Sequence, residues 1–165
     1  GHGGKDTGGI SSFGLEEKSL TWETCLLLKQ ELERKGHKVV LSRAADEYKL
    51  LRDRSNVEGD LLLSIHFDNV KGKQSLPIRI LYQSGVSHTM LEELNRKFAF
   101  SLGQMLQQNG LAAGTPAINT KLAILRGAKI PALLLELENI NAIDKNVKPE
   151  FIHKLAQAID QSFED

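Results

Sequence analysis

The apolar positions of this chain change period several times, and each change predicts an element. Residues 19–35 carry Leu20, Leu27, Leu28 and Leu32 at helical spacing. Arg34 and Lys35 stand in the last turn and Gly36 follows, the pattern of a helix C-terminus. Val39, Val40 and Leu41 make a short apolar run that predicts a strand, and the polar stretch 48–57 predicts a short helix. Residues 61–65 (LLLSI) are almost continuously apolar, which suits a strand covered on both faces. Residues 78–82 predict another strand. A helical stripe then runs over 88–108 through Leu91, Leu94, Phe98, Leu102 and Met105, closed by Asn109-Gly110. Residues 122–125 and 132–137 read as two more strands. Pro149 opens a last helix whose stripe is Ile152, Leu155, Ala156, Ile159 and Phe163. The Gly-, Ser- and Thr-rich stretch 5–18 predicts an exposed loop.

Strands alternating with helices predict an α/β fold: a mostly parallel, twisted sheet with helices on both faces. In such sheets ligands bind beyond the carboxyl ends of strands. His66 directly follows the run 61–65 and Glu136 lies near the end of the run 132–137, so both are expected at one rim. By the same rule the loop that carries His2 ought to follow a strand, so a first strand is expected to be missing from this chain. With 165 residues, 41% of them hydrophobic, residues 1–165 are expected to form one domain.

Charge and cysteine content narrow the classes. Lysine plus arginine equals aspartate plus glutamate at 21 each, so no net field draws the protein to nucleic acid or to an anionic membrane. No apolar run has the length of a membrane span. Cys25, the only cysteine, excludes an intramolecular disulfide, and its place in an apolar helical run predicts a small buried hydrophobe rather than a nucleophile. His37, His88 and His153 are expected at the surface.

The dispersed set His2, Glu17, His66 and Glu136 reads as a metal-hydrolase site. Two imidazoles and one carboxylate are a common ligand set for catalytic zinc, leaving a position for water, and a further Glu can carry the proton. Taken singly, the residues say less. A histidine at a strand end is more often a hydrogen-bonded structural residue, and an acid at a helix start is favoured there by the dipole alone. An acid closing the buried run Leu133-Leu134-Leu135 costs desolvation unless it has a role or a partner. Glu138, two residues along the same strand, faces the same side and is a rival for Glu136. HExxH and HxxEH are both absent, so the common zincin helix is not used.

Six segments in order resemble the zinc-dependent N-acetylmuramoyl-L-alanine amidases of the Amidase_3 type. They are GHGGKDTG at 1–8, GLEEKSL at 14–20, GHKVVLSR at 36–43, LLRDR at 50–54, GDLLLSIHFDN at 59–69 and KLAILRGAKIPALLLEL at 121–137. The resemblance covers nearly the whole chain. It implies Zn2+ held by His2, Glu17 and His66, with Glu136 as catalytic residue and Arg126 as a substrate-positioning group. The implied reaction is hydrolysis of the amide joining N-acetylmuramic acid to L-alanine in peptidoglycan, which implies a periplasmic or extracellular location. Two other readings stand beside it: a catalytically impaired module that binds peptidoglycan or regulates such enzymes, and a zinc peptidase acting on another amide. The short spacing between the strand at 78–82 and the helix at 88–108 predicts an open site without an occluding helix. Peptidoglycan and zinc are the expected partners of an expected monomer; the sequence leaves open whether an activator protein is needed.

Overall fold

The computed structural model describes residues 1–85 and 89–164. Helix α1 (Glu17–Arg34) begins two residues earlier than its apolar stripe predicts. Its first N–H groups find acceptors in the preceding loop: Glu17 N donates to Gly9 O at 2.8 Å and Lys18 N to Thr7 O at 3.0 Å. Those bonds satisfy donors that a helix start leaves open, and they fasten the loop to the helix. Leu20, Thr21, Thr24, Leu28 and Leu32 form its buried face. Helix α2 (Leu51–Ser55) is a single turn. Strand β1 (Leu62–Asp68) runs three residues past the expected end, so His66 lies within the strand rather than after it.

Strand β2 (Arg79–Tyr82) is followed by α3 (Met90–Gln108), which opens on a capping box between Thr89 and Glu92. The expected helix start at His88 lies outside the described residues. A two-residue strand, β3 (Ala117–Ile118), was not predicted; it is too short to carry a hydrophobic period. Residues 122–125 form a helical turn, α4 (Ala123–Arg126), where a strand was expected. The Asn119 side chain accepts from Lys121 N and Leu122 N, which starts the turn, and Ile124 and Leu125 are buried by it. Strand β4 (Ala132–Asn139) and helix α5 (Pro149–Gln161) complete the chain.

The sheet order is β1-β4-β2-β3. β1 pairs parallel with β4 and β2 parallel with β3, while β2 and β4 are antiparallel, so the sheet is mixed. The expected α/β architecture is present, with the antiparallel central pair as its departure from the expected parallel sheet. Helices cover both faces unequally. Odd-numbered residues of β4, Leu133, Leu135 and Leu137, join the larger core with Ile65 and Phe67 of β1 and the apolar sides of α1, α3 and α5. Even-numbered Ala132 and Leu134 pack in a smaller cluster with Ile124 and Leu125 of α4. Because strand side chains alternate, His66 and Glu136 fall on this second face, where the first turn of α1 reaches His66 through Glu17.

One expected strand is absent. Residues 39–41 form no ladder with the described residues, and Val40 is 70% exposed.

Candidate metal centre

The site is assembled from a turn, a helix start and a strand. His2 stands at φ 50°, flanked by Gly3 and Gly4, also at positive φ, in a turn closed by Gly3 N to Asp6 O at 2.8 Å. Left-handed backbone at a histidine is uncommon and persists here because the surroundings hold it. The Arg54 guanidinium donates to His2 O at 2.8 Å, and the Thr21 hydroxyl donates to Gly1 O at 3.1 Å.

Glu17, buried in the first turn of α1, lies between two imidazoles. One carboxylate oxygen is 3.1 Å from His2 Nε2 and the other 3.0 Å from His66 Nδ1. The same carboxylate accepts Gly9 N at 2.8 Å and Phe67 N at 3.2 Å, which fixes its orientation. His2 and His66 meet edge to face, with ring centroids 4.9 Å apart. Gly8, at φ 66°, touches this group so closely that a Cβ there would sit 2.5 Å from the His2 ring and 2.6 Å from the Glu17 carboxylate. Only glycine meets both demands.

Electrostatics match a ligand set. Burial disfavours the charged form of Glu17, yet hydrogen bonds from His2, His66 and Gly9 N outweigh it and hold the carboxyl well below the usual range. Burial lowers the His66 pKa, and Glu17 offsets only part of that, so the ring favours its neutral, coordinating form. For His2 burial also acts downward, but Glu17 and Asp6 together raise the pKa. Asp6 Oδ1 lies 2.9 Å from His2 Nδ1, which turns Nε2 toward the shared centre. Asp6 was not singled out from the sequence, although an acid four residues after the histidine in one Gly-rich turn was the available signal.

One ligand atom from each of His2, Glu17 and His66 lies within 4.8 Å of the others, so this donor set can close on one ion. Two nitrogens and one carboxylate oxygen are the borderline donors zinc prefers, and their spacing suits bonds of about 2.0–2.2 Å.

Glu136 is the direct ladder partner of His66. Its Oε2 is buried with no hydrogen-bond partner among the described residues. Burial, then the nearby Asp68 and Glu17 carboxylates, push its pKa up to about 7. The rival Glu138 is otherwise engaged, accepting from the Ser75 hydroxyl at 2.5 Å and from Leu76 N at 2.7 Å. Arg79, opposite Glu136 on β2, is paired with Asp68 at 2.6 Å. Arg126 is exposed at the end of α4 and is not part of the His2, Glu17 and His66 group. Cys25 packs against the core and burial raises its thiol pKa, as expected of an inert thiol. His37 bonds Asp160 and His153 bonds Glu31, while His88 lies outside the described residues.

A family model described as Amidase_3, N-acetylmuramoyl-L-alanine amidase, matches residues 1–164. A probable cell wall amidase, LytH, of Staphylococcus saprophyticus is 32% identical over 157 residues, covering 93% of this chain and 51% of the relative. The chain thus spans about half the length of the curated relatives it matches. The crystal structure of the apo form of the N-acetylmuramyl-L-alanine amidase Ami1 from Mycobacterium abscessus superposes with a TM-score of 0.78 at 26% identity, covering 97% of this chain and 84% of that one. An N-acetylmuramoyl-L-alanine amidase from Clostridium difficile 630 gives 0.77 at 26% identity, covering 99% and 91%.

Proposed function

Given that the chain belongs to the Amidase_3 family of N-acetylmuramoyl-L-alanine amidases, we propose that residues 1–165 act as one catalytic domain that hydrolyses the amide between N-acetylmuramic acid and L-alanine in peptidoglycan. The observation that carries this reading is the placement of Glu136: a half-buried side chain whose Oε2 is buried without a partner among the described residues and whose pKa is pushed up to about 7, one strand over from His66.

His2, Glu17 and His66 hold Zn2+ in this reading, with Asp6 and the Gly9 N–H orienting the first two. The bound ion supplies Lewis-acid polarisation of the scissile carbonyl and lowers the pKa of water toward about 7. Glu136, on the strand beside His66, takes a proton from the attacking water at its free oxygen and returns it to the departing amine nitrogen. A carboxyl that titrates near the working pH serves both halves of that transfer. No covalent bond to the protein forms. Arg126 is assigned substrate positioning on the family resemblance alone. Action on peptidoglycan places the protein in the periplasm or outside the cell; among the described residues no helix is long and apolar enough to cross a membrane.

The test is mass spectrometry of purified peptidoglycan fragments incubated with zinc-loaded protein. Free stem peptides beginning with L-alanine, together with peptide-free muramic acid, are expected. Both products should vanish after chelation and in Glu136→Gln, while that variant keeps its zinc. Folded, zinc-bound protein that leaves the fragments intact would favour the binding-module reading instead.

A further inference from the structure

Three side chains stand in one row across the second face of the sheet. His66 on β1 is the ladder partner of Glu136 on β4, and Glu136 is in turn the ladder partner of Arg79 on β2. Directly opposed residues of an antiparallel pair have Cβ atoms about 4.5–5.5 Å apart, so an arginine reaches the carboxyl of its partner with length to spare. Arg79 is thus placed to be the counter-ion of Glu136. It does not serve as one. Its Nε and Nη2 donate to the two carboxylate oxygens of Asp68, at 3.0 and 2.6 Å, while Glu136 Oε2 stays buried without a partner among the described residues.

Asp68 belongs to β1 and Arg79 to β2, with β4 between them, so their ion pair spans two strand spacings, about 10 Å, and crosses β4 beside Glu136. A register shift sets this up: His66 pairs with Glu136, yet Asp68 pairs with Asn139 rather than with residue 138. Such irregularities re-aim side chains next to a site. Two parallel hydrogen bonds to one carboxylate fix the direction of the guanidinium as well as its position. Asp68 raises the Glu136 pKa by more than Arg79 lowers it, so the pair as arranged does not neutralise Glu136. The other acid on this face of β4, Glu138, is filled by the Ser75 hydroxyl and Leu76 N. With Asp68 uncharged, Glu136 Oε2 would be the carboxylate oxygen left open to Arg79. As a stabiliser of the fold the bridge counts for little, because Arg79 is half-exposed.

We propose that Asp68 is a positioning residue for the amidase reaction: by holding Arg79 across β4 it keeps the guanidinium off Glu136 and leaves that carboxyl free to accept and return a proton. The proposal rests on the reading of Glu136 as proton carrier. Without the Asp68 charge, Arg79 turns onto its ladder partner, and a carboxylate locked in a charge-assisted pair is a poor base. Asp68 touches neither the metal ligands' donor atoms nor the scissile bond in this role; it acts through Arg79.

The test compares zinc-loaded wild type with Asp68→Asn, Asp68→Glu, Arg79→Gln and the double variant Asp68→Asn/Arg79→Gln, using soluble muropeptides as substrate. Asp68→Asn should lower kcat at least ~10-fold and leave KM within ~2-fold, since proton transfer and not binding is impaired. Asp68→Glu keeps the charge and should retain most of kcat. Arg79→Gln alone should cost less than Asp68→Asn, because it brings no cation to Glu136. The double variant removes the misplaced cation and should recover kcat to within ~3-fold of wild type. A strut that only ties strands together behaves oppositely, since losing both ends does not repair the loss of one. The crystal structure of zinc-loaded Asp68→Asn should show the Arg79 guanidinium on Glu136 and the positions of His2, Glu17 and His66 unchanged. Three results, each obtained with an active wild type, overturn the role of Asp68 alone: a double variant no more active than Asp68→Asn, an Asp68→Asn structure in which Arg79 stays clear of Glu136, or an Asp68→Asn protein that unfolds or loses its zinc. Wild-type protein that releases no stem peptides would refute the amidase reading, and this role with it.

Discussion

In metal-free protein, Glu136 should make the fold lose stability as pH rises from 5 to 8. Its carboxyl titrates near 7 in the fold against an ordinary value of 4.5, chiefly because burial disfavours the charged form. The folded state therefore holds this proton more tightly than the unfolded chain does, so the stabilisation is present below pH 4.5 and disappears as pH climbs through 7. A displacement of that size corresponds to roughly 2.5 kcal/mol between pH 5 and pH 8 at about 1.36 kcal/mol per unit. The side chain is only partly buried, so solvent screening reduces the expectation to about 1–2 kcal/mol. The perturbation is Glu136→Gln, which keeps the shape and cannot ionise. The assay is urea unfolding of chelator-treated wild type and variant at pH 5, 6, 7 and 8. His2 and His66 titrate in both proteins, so the difference between the two curves isolates Glu136. The variant should gain on the wild type by that amount toward pH 8. Parallel curves would refute the reasoning, because the carboxyl would then ionise as it does in water. Adding zinc should shrink the gap, since a nearby divalent charge favours the carboxylate.

Other expectations concern the metal centre and the core. Asp6→Asn keeps the turn but weakens the acceptor that orients His2, so zinc affinity in a chelator-competition titration should fall about 10–100-fold. Gly8→Ala places a methyl against His2 and Glu17 at a backbone angle alanine resists; it should lower both zinc affinity and thermal stability, the latter by more than ~1 kcal/mol. Leu135→Ala, at a fully buried centre of the larger core, should cost about 2–5 kcal/mol in urea unfolding while leaving the zinc stoichiometry of the folded protein unchanged.

Much of the molecule was legible from local pattern. The stripes of α1, α3 and α5 and the apolar runs of β1 and β4 follow from periodicity, because each element must bury one face or two. The chemistry of the ligand set was legible as well: His2, Glu17 and His66 suggested a metal site as residue types, and the order of six segments named the family that the comparisons then matched. What sequence could not supply was sidedness. Whether His66 and Glu136 share a face depends on the β1–β4 register, a non-local pairing, and Glu136 stands out from Glu138 only because Ser75 and Leu76 take the latter.

The departures have the same origin. Residues 122–125 have a strand-like composition, yet the Asn119 side chain accepts from Lys121 N and Leu122 N at the start of the turn, and Ile124 and Leu125 find a core as a helical turn. Residues 39–41 have strand composition too, and remain unbonded because a strand exists only where a neighbour offers its backbone. The antiparallel β2–β4 pair is equally invisible to local pattern. The sequence by itself determined which segments are helices and buried strands, and which side chains can bind a metal, since period and donor chemistry are local properties. Only the tertiary structure decided which donors converge and which carboxyl keeps an oxygen without a partner and is raised to about 7, because these depend on distances between residues remote in the chain.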